Sequence, residues 1–162
     1  MKRLLISAIL CVALLFAGNA MAASSMAVKA YAIGNQGSML VIQLTCTAHT
    51  DGTFDAKTVT AAEVGYDYHK SGYYFLDASA INSATDDHTN AAVVTITDGT
   101  TRQIIGATVG DTLTLSQTAS AVAYASMARG ASQRAVYSPL VVSIADTGST
   151  ATVQTLYLIL GR

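Results

Sequence analysis

The chain has 162 residues, 51% of them hydrophobic and only 12% charged, with nine Lys and Arg against ten Asp and Glu. Nothing in that balance is built to neutralise phosphates, so a nucleic-acid partner is not expected. The hydrophobic excess is Ala and Val rather than long apolar blocks, which excludes a membrane span in the mature chain and leaves room for one core and one domain.

The N-terminus reads as an export signal. Lys2-Arg3 is followed by an apolar run over residues 4–17 and by Ala20-Met21-Ala22, the positive, hydrophobic and small-residue regions of a secretory peptide. Residues 1–22 are therefore expected to be removed, leaving residues 23–162 as a single domain in the periplasm, on the cell surface or outside the cell. Loss of Lys2 and Arg3 leaves seven basic against ten acidic residues, a net charge of −3. Cys46 then stands alone, as a buried thiol or as half of an intermolecular bridge. Its apolar neighbours Val41 and Leu44 favour burial.

Residues 27–33 alternate weakly, Gly34-Asn35-Gln36-Gly37 is a turn, and residues 38–47, SMLVIQLTCT, read as a full strand. Asp51-Gly52 carries a hairpin signal. Residues 54–64 fit either a strand or a turn or two of helix. Residues 65–78, GYDYHKSGYYFLDA, are aromatic-rich, broken by Ser71-Gly72, and read as two short strands, with residues 82–90 a polar loop.

The central stretch, residues 91–127, is rich in β-branched residues and punctuated by Asp98-Gly99 and Gly110-Asp111, which predicts a β meander of three or four strands. Residues 128–134 form a loop with two arginines. Residues 136–145 form a strand that Pro139 should push to an edge or into a bulge, because proline has no N–H to donate. Residues 150–160 end in LYLIL and should be a central strand buried on both faces. The sum is an all-β protein, an antiparallel β-sandwich or jelly-roll-like fold of about eight strands. Its core is expected to hold Val94, Ile96, Leu113, Leu115, Val142, Ile144, Leu156 and Leu158.

Residue chemistry offers little for catalysis. His49, His69 and His88 lie near Asp51, Asp67, Asp86 and Asp87, yet the spacings match no metal-ligand motif and no calcium loop with a closing glutamate is present. No serine stands in G-x-S-x-G, no glycine-rich phosphate loop occurs, and Glu63 is the sole glutamate. Neither an enzyme nor a cofactor is expected. Tyr66, Tyr68, Tyr73, Tyr74 and Phe75 cluster, and the pleat sends Tyr73 and Phe75 to one face and Tyr74 to the other. Candidate partner contacts are Tyr66, Tyr68, Tyr74, Arg129 and Arg134.

The order of motifs resembles that of small β-sandwich proteins of tailed-phage virions. It is carried by the aspartate-glycine turn with the strand after it (residues 49–60), the aromatic strand (72–76), Val93-Val94-Thr95-Ile96-Thr97-Asp98, Ser138-Pro139-Leu140-Val141-Val142-Ser143-Ile144 and Thr155-Leu156-Tyr157-Leu158. The resemblance implies a structural role as a head-decoration or fibre-like subunit that oligomerises. The export signal departs from that pattern and is similar to pilus subunits assembled by strand donation, most of which carry a disulfide that Cys46 alone does not supply. The expectation is an exported structural subunit that forms homo-oligomers or joins assembly partners. The alternatives are a secreted binding module with an exposed tyrosine face and a strand-exchanging pilus-type subunit whose residues 27–33 leave their own sandwich for the Pro139 edge of a neighbour.

Overall fold

The computed structural model describes residues 23–82, 92–99, 102–106, 112–115, 121–125, 134–145, 148 and 153–162. The signal region, His88 with Asp86 and Asp87, and Arg129 lie outside them. Among the described residues, eleven strands build two antiparallel sheets. They are β1 (Ser25–Ile33), β2 (Met39–Thr47), β3 (Lys57–Thr58), β4 (Tyr74–Asn82), β5 (Val93–Asp98), β6 (Arg102–Ile105), β7 (Leu113–Thr114), β8 (Val122–Tyr124), β9 (Arg134–Ala135), β10 (Leu140–Ile144) and β11 (Val153–Gly161). One sheet runs β1-β2-β11-β4-β8 with β9 also on β4; the other runs β3-β10-β5-β6 with β7 also on β5. No described helix is long and apolar enough to cross a membrane.

The pairs nest: β2 with β11, β3 with β10, β4 with β8 and β9, and β5 with β6 and β7. That is one long antiparallel hairpin, rolled so that β11 also meets β4 and β10 also meets β5. The chain is a jelly roll, with β1 added beside β2. β6 and β7 line successive stretches of one margin of β5, and β8 and β9 do the same along β4.

The core is made by period-2 alternation. In β2, Leu40, Ile42, Leu44 and Cys46 are fully buried while their neighbours are not. All eight residues expected in the core are buried there. Cys46 is a buried free thiol, and burial pushes its pKa up to about 12. Tyr73 and Phe75 point into the core and Tyr74 outward, as the pleat requires.

Several expectations need correction. The central stretch is not a meander: β7 returns to β5 rather than pairing with β6, and β8 crosses to the other sheet. Asp51-Gly52 makes its turn, with Gly52 at φ 85° and its N–H on the His49 carbonyl, but it links strands of different sheets and closes no hairpin. Residues 65–78 hold one strand, not two, because residues 68–70 form a 3-10 turn that buries Tyr68. Pro139 lies just before β10 instead of within it, and β10 is covered by β3 on one side and β5 on the other. β11 is central, but only one of its faces is fully buried.

The undecided residues 54–64 divide into β3 and a single helical turn, α1 (Ala61–Val64). A capping box explains the turn. Thr60 accepts from the Glu63 N–H, Glu63 accepts from the Thr60 N–H at 3.0 Å, and Gly65 closes the C-terminus at φ 92°. The sole glutamate also pairs with Lys57, so its role is local and structural.

Candidate functional site

The largest feature not consumed by the fold is the outward face of the six-stranded sheet. Strand register places its residues in four rows, beyond which Ser25 and Thr47 begin a fifth. The first row runs Ile33, Met39, Gly161, Tyr74 and the second Tyr31, Val41, Ile159, Asp77. The third runs Lys29, Gln43, Tyr157, Ser79, Tyr124 and the fourth Ala27, Thr45, Thr155, Ile81, Val122. Lys29 and Asp77 are the only charged members, on opposite flanks. Tyr31, Ile33, Met39, Tyr74, Ile81, Val122 and Tyr124 are all exposed, Tyr124 at 71%.

One corner of this face is hollow. The register of β11 against β4 shifts after Ile159, so Leu76 is an extra residue on β4. A Cβ at Gly161 would stand 2.6 Å from Leu76 Cδ1, so glycine is what lets Leu76 lie there. The result is a depression of about 300 Å³ lined by Ser38, Met39, Tyr74, Leu76, Gly161 and Arg162.

The same end of the sandwich gathers tyrosines and arginines. The Tyr66 hydroxyl donates to that of Tyr73 at 3.2 Å, and Tyr73 donates to the Gly37 carbonyl. Burial, then the bond to Tyr73, raises the Tyr66 pKa above its ordinary value. The Arg162 guanidinium lies 5.3 Å from the Tyr73 ring centre and that of Arg102 5.1 Å from Tyr137, stacking that holds a cation on an aromatic face. A cleft of about 410 Å³ opens between the 3-10 turn and the β9–β10 segment, lined by His69, Lys70, Gly72, Tyr73, Tyr74, Ala135, Val136 and Tyr137.

The expected contact residues separate. Tyr74 is exposed on the outward face and Tyr66 is half-buried. Tyr68 is fully buried and faces no partner: its hydroxyl donates to the Val59 carbonyl at 2.9 Å and accepts from the Leu140 N–H at 2.8 Å. Burial pushes its pKa up to about 12 against the opposing pull of the Leu140 bond. Arg134 is also used inside the molecule. It donates to the carbonyls of Ile104 and, at 3.5 Å, Gln103, while Arg102 donates back to Ala135 and Asp98. The two arginines stitch one sheet to the other. Tyr31, Tyr124 and Tyr137 escaped the sequence reading. The first follows from the alternation of residues 27–33, but the other two sit in strands or bends too short to carry a period.

Among the described residues, no group of three metal-ligating side chains occurs. His49 and Asp55 instead fasten the start of β1. Ser24 donates its N–H to His49 Nδ1 at 3.1 Å and its hydroxyl to Asp55 at 2.7 Å, and His49 Nε2 lies 3.1 Å from the same carboxylate oxygen. Serine, histidine and aspartate are all present, but the carboxylate takes the serine hydroxyl itself. The imidazole is thus not positioned as the base of Ser24.

No protein-family model matches the chain, and neither a curated protein nor a solved structure matches it.

Proposed function

We propose that this chain is an exported, non-enzymatic structural subunit that assembles with copies of itself, as a decoration-like or fibre-like component. The observation that carries the reading is the outward face of the six-stranded sheet, where Tyr31, Ile33, Met39, Tyr74, Ile81, Val122 and Tyr124 are exposed among small polar residues, with one lysine and one aspartate. Five strands about 4.8 Å apart and four rows about 6.8 Å apart span roughly 650 Å², close to the ~800 Å² per partner of a standard protein interface. Large apolar side chains gathered on one face and rimmed by polar ones mark an association surface. The hollow beside Tyr74 and Leu76 gives such an interface a place to seat a partner's side chain.

The test is sedimentation velocity across a concentration series on protein recovered from an exporting host, alongside Ile159→Glu in the middle of the face. The expected result is an oligomer that the substitution returns to a monomer with unchanged β-type circular dichroism. A wild-type monomer at every concentration would sink the reading. The same protein, sequenced from its N-terminus, should begin at Ala23.

A second reading, a binding module, is favoured by the cleft between Tyr74 and Tyr137, whose exposed rings suit stacking of a sugar or aromatic ligand. With eight tyrosines and no tryptophan, intrinsic fluorescence follows the tyrosines directly. A saturable change on adding an oligosaccharide, lost in Tyr137→Ala, would support this reading over assembly.

A further inference from the structure

We propose that the outer edge of β1 pairs antiparallel with the same edge of a second copy, joining their two six-stranded sheets into one. This rests on the self-assembly reading and names the contact that begins it. Unpaired strand edges are templates for association, and soluble proteins blunt them with short strands, prolines, bulges, edge charges or a covering helix; β1 has one such charge, Lys29, and the single turn α1 nearby. Three of the four sheet margins here are blunted. β3 has two residues; β6 and β7 have four and two; β8 and β9 have three and two. β1 alone runs nine residues in unbroken register with its neighbour, without proline or bulge, and no described strand pairs with its other side.

The flank of β1 is unfinished as well. Val28 and Ala30 are only half-buried and Ala32 is exposed, although their positions alternate with the outward Ala27, Lys29, Tyr31 and Ile33. A second β1 laid alongside would cover them with matching small apolar residues.

The sequence of the strand points to its own copy as the occupant. In an antiparallel pair related by a two-fold axis, residues keep their faces only when a residue sits on the axis. With Ala30 there, Lys29 of each copy meets Tyr31 of the other, Ala27 meets Ile33, and Val28 meets Ala32, over residues 27–33. Each ammonium then lies beside an aromatic ring. With Lys29 on the axis two ammonium groups oppose each other directly, which is destabilising. With Tyr31 on the axis the overlap shrinks to residues 29–33. The Ala30-centred register also makes the outward faces of the two sheets continuous.

The test is Ala30→Cys in protein recovered from an exporting host, oxidised and run without reductant. Directly opposed antiparallel residues have Cα atoms about 4.5–5.5 Å apart, within the ~4.4–6.8 Å that a disulfide spans. Wild-type protein is the blank, since Cys46 is buried and its thiol pKa is raised. A covalent dimer is expected, forming at least about tenfold faster than in Tyr137→Cys, an exposed control outside the outward face, because a paired edge holds the two thiols at high effective concentration. If Ala30→Cys stays monomeric on the gel while wild-type protein sediments as an oligomer, the edge pairing is wrong and the assembly reading survives. If wild-type protein is a monomer throughout, both fall. Preferential cross-linking of Tyr31→Cys overturns the register and the proposal with it.

Discussion

The two margins of the six-stranded sheet are finished in opposite ways. At the β8 and β9 margin the strands are short, and the seam to the second sheet is closed by side chains: Arg134 reaches the carbonyls of β6, and Arg102 reaches back to Ala135. Asp98, nearly inaccessible, accepts from Arg102 and from the N–H groups of Tyr137 and Ser138 at 3.0 and 2.5 Å. At the β1 margin there is a long regular strand with no described strand on its outer side; the turn α1 and the core pack against it, and Ser24, His49 and Asp55 fasten its start. One margin spends its polar groups within the molecule. The other has no described strand beside it, which is how an open edge differs from a finished one.

The largest expected effect tests the row beneath the open margin, where Met26 pairs with Cys46. Burial lifts the Cys46 pKa from 9.0 to about 12, so its contribution to stability is complete below pH 9 and is lost as pH rises through about 12. At about 1.4 kcal/mol per pH unit that is about 4 kcal/mol. Urea melts between neutral and strongly alkaline pH should show it, and Cys46→Ala should flatten the alkaline fall.

Next is the closed margin. Asp98→Ala strands two backbone N–H groups and the Arg102 guanidinium, and should lower unfolding free energy by about 3 kcal/mol in chemical denaturation. Arg134→Met leaves carbonyls on β6 without their donor and should cost about 1–2 kcal/mol by the same assay. If neither substitution moves the midpoint, the margins do not differ as described.

On the open margin, Lys29→Ser should change monomer stability by less than about 0.5 kcal/mol, since the side chain is exposed, and, if the proposed edge pairing holds, should shift the concentration dependence of sedimentation. The smallest effect is at the fastening of β1. The Ser24 hydroxyl bond and then His49 hold the Asp55 carboxyl below its ordinary value. Its contribution is therefore present above the ordinary carboxylate range and disappears as pH falls through the lowered value. Asp55→Asn should blunt that acid loss in a pH titration of amide exchange at residues 25–28, leaving the neutral-pH midpoint almost unchanged.

Alternation of apolar and polar residues is a property of the chain itself, which is why the all-β class, the eight core positions, the buried Cys46 and the split of Tyr73 and Phe75 from Tyr74 could be read from it. So could the turn chemistry at Asp51-Gly52, because glycine's freedom at positive φ is local. Pairing is not local. Whether β7 returns to β5 or continues a meander depends on which edge is vacant when the roll closes, and strands of two or three residues carry no period to announce them. The fate of polar groups is decided by tertiary structure too. Tyr68 and Tyr74 stand six residues apart in one aromatic cluster, yet a 3-10 turn buries the first against Val59 and Leu140 and the pleat exposes the second. Arg134 reads in the sequence as a candidate partner contact, and the fold brings the carbonyls of β6 within its reach instead. A side chain's sequence neighbours set which face it takes, and only the assembled sheets determine what lies across from that face.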